Sequence, residues 1–319
     1  MGQDRLFVLD LGRRAVLEID QTTGDRSIVF EDKTPAAGAF LSPMGIPVRD
    51  DGEIVVVDPQ RTAVIAVDPE TGDARIISDA SHGGGTFFIT PESVAVTATG
   101  DLIVGDATNI AMIHVDYRTG ERSILSGPTR GSGLDVQDPI AIAVAKELVI
   151  TTDPDLGAVI AVDMTTGDRA IVSGPDHGSG PTFGVPIGVA ASDDKYYVSD
   201  PVSSAIVAVD PGNGTRVRLP ISSPRADIKI VSPVGIAEDR KGDLIVTDLK
   251  GLAVYAINLK TGDMRVLSSP TAGSGPDFKR PWGVAVGLNG AFYVSDSTLA
   301  AVIRVDAETG NRSMLLPPP

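Results

Sequence analysis

Seven near-copies of one unit run the length of this chain, and that repetition constrains the fold more than any single residue does. The segments RLFVLD, EIVVVD, DLIVGD, ELVITTD, KYYVSD, DLIVTD and AFYVSD end on Asp10, Asp58, Asp106, Asp153, Asp200, Asp248 and Asp296, at spacings of 48, 48, 47, 47, 48 and 48 residues. A second series (Asp20, Asp68, Asp116, Asp163, Asp210, Asn258, Asp306) and a third (Gly24, Gly72, Gly120, Gly167, Gly214, Gly262, Gly310) keep the same step. A unit of this length cannot bury its apolar face alone, so neighbouring units must stack on one another.

The last unit shows the local grammar: WGVAV, AFYVSD, AVIRVD, the turn AETGN, then RSMLL. These are short β-rich runs between turn residues, four to a unit, with no helical periodicity. A parallel α/β fold needs crossover helices and is excluded. Seven four-stranded antiparallel units predict an all-β, seven-bladed β-propeller forming a single domain. Its repeat units are 1–42, 43–90, 91–138, 139–185, 186–232, 233–280 and 281–319. The P-x-G-V-A-V-like strand begins at Pro43, Pro91, Pro139, Pro186, Pro233 and Pro281, whereas only four residues precede Arg5. The expectation is therefore a first blade lacking its inner strand, or a chain trimmed upstream, rather than a six-bladed ring.

Apolar residues make up 42% of the chain and charged residues 22%, enough to build a core. The net charge of −15 argues against a nucleic-acid partner, since phosphate neutralisation needs clustered Lys and Arg. The absence of cysteine excludes disulfides and thiolate chemistry. No apolar run is long enough to span a membrane as a helix. A soluble protein is expected, extracellular or periplasmic if a leader was removed and cytoplasmic otherwise.

The order P-x-G-V-A-V, then G-x-L-x-V-x-D, then a Gly-x-Phe-like loop resembles the NHL repeat and the related gluconolactonase-like propellers over essentially the whole chain. The resemblance implies that the P-x-G-V-A-V strand is innermost and that the residue between Pro and Gly lines the channel mouth. In the gluconolactonase-like enzymes that position supplies acidic or amide ligands to a catalytic calcium ion. Here it holds Met44, Glu92, Ile140, Ile187, Val234 and Trp282. One carboxylate is too few for calcium, which takes six or more oxygens. No metal ligand and no cofactor are expected from these side chains, and a divalent ion held in the channel by backbone carbonyls stays open.

Features common to all blades read as architecture. The strand-end Asp series suits capping of backbone N–H groups, and the Asp-x-x-Thr-Gly turns suit hairpin reversal. The glycine-rich segments SHGGGTFF (from Ser81), PTRGSGLDV (from Pro128), PDHGSGPTF (from Pro175) and PTAGSGPDF (from Pro270) lead into strands. A phosphate loop opens a helix, so phosphate binding is not expected. Phe183 and Phe278 are expected to plug the seams between blades.

Function is sought where one blade departs from its siblings. Glu92, the one carboxylate among apolar mouth residues, is the candidate general acid or base, because desolvation raises a carboxyl pKa toward neutrality. His82 and His177 in the glycine-rich loops are candidate catalytic partners, and Arg130 and Arg225 occupy the same loop column. Lys279 and Arg280, beside Trp282, are candidate anchors for a substrate carboxylate. His114, inside a strand, is read as structural. No Ser-His-Asp spacing or G-x-S-x-G elbow is present. Two readings stay open: a partly apolar small molecule bound at the mouth and cleaved by hydrolysis or elimination, with virginiamycin-lyase-like and strictosidine-synthase-like propellers as analogies, or a non-catalytic scaffold for a protein or glycan partner.

Overall fold

The computed structural model describes residues 5–10, 13–20, 25–31, 47–192, 194–223, 228–239, 241–286, 291–296, 298–299 and 301–315. Seven antiparallel sheets follow one another in chain order, the blades of a seven-bladed β-propeller, and the described residues contain no helix. None therefore offers a helix long and apolar enough to cross a membrane. Five sheets have four strands. The first has three, Leu6–Asp10, Ala15–Ile19 and Arg26–Glu31. The second shows Ile54–Asp58, Ala63–Val67 and Ala74–Ser78, with an isolated bridge from Val48 to Ile54 at the inner position. The expected inner-strand start at Pro43, with Met44, lies outside the described residues.

Blade 3 shows how sequence becomes sheet. Pro91–Val96, Leu102–Asp106, Ala111–Val115 and Arg122–Ser126 pair each with the next, inner to outer. Within a unit, second strands are sandwiched between neighbouring blades, as Leu102 and Val104 are against blade 2 and Ile103 against blade 4, and Leu102–Asp106 is buried at every position. That is why they read as continuous apolar runs rather than as alternating ones. The inner strands are less uniform than their shared motif suggests. Pairing starts at Pro91, Pro233 and Pro281 as expected, but only at Ala141 and Val189 in blades 4 and 5. Ile140 and Ile187 therefore precede the regular ladders there.

By contact density the chain divides into two units, one of residues 1–2, 7–18 and 27–174, the other of 3–6, 19–26 and 175–319. Each has apolar cores formed where adjacent blades meet. In the first unit, Val55, Val57 and Val64 of blade 2 pack with Phe88 and with Leu102, Val104 and Ile113 of blade 3. In the second, Phe278 is fully buried between Leu267 of blade 6 and Phe292 and Ile303 of blade 7, the plug expected of it. Phe183 is half-buried, its ring 5.6 Å from the Arg216 guanidinium carbon.

Two polar devices recur at the seams. The strand-end aspartates accept from both the incoming connection and the following turn: Asp200 takes the N–H groups of Gly184, Val185 and Ser203 at 2.6, 3.0 and 3.0 Å. Asp248 does the same for Val231, Ser232 and Gly251. Burial alone would raise the Asp200 pKa, but the three backbone donors, with the Ser203 hydroxyl, outweigh it and hold the carboxyl below its ordinary value.

The second device is an arginine that opens the outer strand and staples the preceding loop. Arg169 donates to the carbonyls of Leu134, Gly127 and Arg130 and to Ser126 Oγ, and pairs with Asp135 at 2.9 Å. Arg122, Arg216 and Arg312 act alike on Thr86, Pro181 and Pro276. The glycine-rich loops exist to lie close under these strands. Gly178 and Gly180 have φ of +76° and +105°, and a Cβ at either would run into the Gly214 or Arg216 carbonyl.

Asp200→Ala is expected to lower unfolding free energy by about 3 kcal/mol, because it strands several backbone donors. Its depressed folded-state pKa means the contribution is complete above about pH 5 and lost as pH falls through that pKa. The gap in melting temperature between wild type and variant should therefore narrow in acid. Arg169→Met should cost about 3 kcal/mol as well, measured by denaturant unfolding.

Candidate functional site

Glu92 is the second residue of the inner strand Pro91–Val96, half-exposed, just inside a register shift between Pro91 and Ser93. Burial raises its carboxyl pKa above the ordinary value, and the nearby Asp138 and Asp106 carboxylates raise it further by repulsion. No hydrogen bond or ion pair among the described residues engages it. Asp138, at the entry to blade 4, is raised in turn by burial and then by Asp155 and Asp153. The first unit thus carries an acidic patch around Glu92 with no cation set against it among the described residues.

His82 is placed elsewhere. Its Nδ1 lies 2.9 Å from Asp79 Oδ1, and its carbonyl accepts from Arg122 at the outer edge of the sheet. Glu92 sits on the innermost strand of blade 3, and no hydrogen bond joins the two residues. The Asp79 contact accounts for the His82 ring without any substrate. His177 is exposed in the second unit, where its carbonyl holds Arg216. His114 packs against Asp101 at 3.3 Å, as a structural histidine would.

The remaining mouth positions divide between the units. In the first, Ile140 is exposed beside the entry to blade 4. In the second, Val234 is buried and offers its carbonyl, not its side chain, to Ser199 Oγ at 2.7 Å. Ile187 is half-buried. Trp282 is exposed, while its carbonyl accepts from Thr247 Oγ1 at 2.5 Å. Ser199 and Thr247 therefore clip adjacent inner strands of the second unit together. The signal for them was in the sequence as the hydroxyl preceding Asp in YVSD and IVTD.

Lys279 and Arg280 lend their backbone N–H groups to Asp296, leaving both side chains exposed. Arg130 spends its guanidinium on the carbonyls of Ile124 and Thr165. Arg225 lies outside the described residues. Among the described residues no three His, Asp or Glu side chains are grouped to hold a metal ion.

Sequence reading overlooked a further set. Phe87, Ile89 and Leu134, in the connections entering blades 3 and 4, stand exposed with Ile140 in the first unit. Their backbones are fixed: Asn109 donates to the Phe87 carbonyl, Asp106 takes the Ile89 N–H, and Arg169 takes the Leu134 carbonyl. These positions were hidden because they break no motif.

A family model described as outer membrane protein assembly factor BamB matches residues 1–171, just over half of the 319. No curated protein sequence matches the chain. Among solved structures, virginiamycin B lyase from Staphylococcus aureus superposes with a TM-score of 0.65 at 14% identity, covering 85% of this chain and 83% of that one. A streptogramin B lyase gives 0.65 at 16%, covering 87% and 83%. A chain of a nidogen/laminin complex gives 0.60 at 15%, covering 88% and 96%. At such identities the likeness is one of fold.

Because the folded state raises the Glu92 pKa, its charge opposes folding at neutral pH, and that penalty vanishes below the unfolded value of about 4.3. Glu92→Gln should therefore melt at the same temperature or slightly higher at pH 7, with no gain left at pH 4.

Proposed function

We propose, because the chain belongs to the family described as outer membrane protein assembly factor BamB, that it is a non-catalytic scaffold docking a polypeptide partner in the assembly of outer-membrane proteins. The observation that carries this reading is the set of exposed apolar side chains on the first unit's connections: Phe87 at 64%, Leu134 at 51%, Ile89 at 49% and Ile140 at 40% of full exposure. Large apolar groups left in water by a chain that buries its other phenylalanine of that loop, Phe88, favour an interaction face. Because aspartate and arginine already hold those loop backbones, a partner would meet an ordered surface and little conformational entropy would be lost on docking. The apolar character suits a polypeptide better than a glycan.

A second reading is favoured by one observation, the raised pKa of Glu92 in a fold shared with the streptogramin lyases. In it Glu92 would act as a lone acid or base on a partly apolar ligand at the inner strands. The His82 ring is already engaged by Asp79, and no hydrogen bond from a histidine reaches Glu92 among the described residues, which is why the scaffold reading is preferred.

The test places a photo-crosslinking residue at Phe87 or Leu134 and, as control, at the exposed Thr119, in cells of a host with an outer membrane. Adducts with components of outer-membrane protein assembly are expected at the first two sites only. Equal labelling at Thr119 sinks the docking face. Phe87→Ser with Leu134→Ser should reduce the adducts formed from Ile89 several-fold while leaving the melting temperature unchanged. Turnover of a streptogramin, ester or lactone by wild type, lost in Glu92→Gln, would instead establish the second reading.

A further inference from the structure

Two blades depart from the arginine rule, and at one of them, blade 6, part of the preceding loop is described. Arg122, Arg169, Arg216 and Arg312 open their outer strands and fill the space beside the preceding loop, but the equivalent residue of blade 6, 48 residues from both Arg216 and Arg312, is Met264. Blade 2 also lacks the arginine, carrying Ala74, though the loop before it lies outside the described residues. The loop before blade 6 differs too: after the short outer strand Arg216–Arg218 of blade 5 it reads LPISS and later IKIVS, without the Gly-Ser-Gly element. Where a guanidinium and a glycine turn would pack, there is a half-open cavity of about 500 Å3 in the second unit.

Its apolar walls are Ile206, Leu219, Ile221, Ile228, Ile230 and Met264, and Ser204 and Ser223 also line it. Ile206 and Met264 form a buried floor, and the four loop residues are half-buried. Such a volume lies within the range of small-molecule sites, about 300–1,000 Å3, and an apolar lining gains by excluding water.

The charged groups at this cavity are as distinctive as its floor. Among the described residues Arg218 and Lys229 line it and no carboxylate does, in a chain with 42 acidic against 27 basic residues. Both are exposed and neither is ion-paired among the described residues; Arg218 reaches only the Ser203 carbonyl, at 3.4 Å. An apolar slot carrying two cations is complementary to a molecule with an aliphatic body and an anionic head.

We propose that this cavity between blades 5 and 6 binds a straight-chain aliphatic carboxylate. The chain lies over Ile206 and Met264, and the carboxylate is held by Arg218 and Lys229. The substitution of arginine by Met264 is what opens the site. This inference stands apart from the docking face, which belongs to the other unit.

Calorimetric titration of the full chain with octanoate, and with octylamine as the charge-reversed control, tests it. Octanoate is expected to bind more tightly than about 1 mM, with no detectable heat from octylamine. Met264→Arg restores the residue of the sibling blades, and Ile221→Trp fills the slot from the opposite wall; each should abolish binding while the melting temperature holds. Arg218→Ser with Lys229→Ser should weaken octanoate about tenfold. The proposal is overturned if octanoate gives no heat at millimolar concentration, if octylamine binds equally well, or if binding survives in folded forms of both cavity-filling variants.

Discussion

The structure depends on a carboxylate buried at the end of the second strand in blades 2 to 7. A propeller must cross from the outer edge of one blade to the inner edge of the next, and each crossing brings backbone N–H groups into a region with little water. Asp106, Asp153, Asp200, Asp248 and Asp296 each accept two of those groups and also close the turn that follows their own strand. One side chain thus fixes the inner strand's entry point, the hairpin beside it and the loop between blades. The same burial would make an unpaired carboxylate costly, so the donors and the acceptor require one another.

The arginine staples extend this logic to the outer edge. A guanidinium offers five donors in a rigid fork, and Arg169 or Arg312 spreads them over loop carbonyls and a buried serine. With backbone held at both edges, loop side chains are free to vary without loss of fold. Exposed Phe87, Ile89 and Leu134 on the first unit, and the cavity of the second where Met264 stands in place of the staple, are two outcomes of that freedom. Both are departures from the repeat, set on a frame that the repeat keeps rigid.

The fold is legible in the sequence, because a backbone demand made seven times leaves the same residue at the same spacing. The aspartates, the turn glycines and the four-strand grammar all report local needs, met within a few residues or one repeat. The incomplete pattern of the first unit likewise matched its three-stranded sheet. The site was far less legible. Glu92, His82 and His177 stood out as exceptions within their columns, but a column says which loop a residue occupies, not how far across a four-stranded sheet its side chain lies. His82 turned to Asp79 three residues away, and Val234 faced inward while only its carbonyl reached the neighbouring strand.

Arg169 and its siblings illustrate the other limit. Their alignment at the start of each outer strand was visible, yet they act on loops 35 or more residues earlier in the chain. Whether such an arginine lies on a surface or becomes a buried staple depends on how closely the preceding blade approaches, and no periodicity encodes that distance. Repetition was enough to specify seven sheets and their turns, since hydrogen-bond and twist requirements act along the chain. Which side chains are sealed in, which stand in water and where a cavity is left are set by packing between residues remote in sequence, and these came only with the folded molecule.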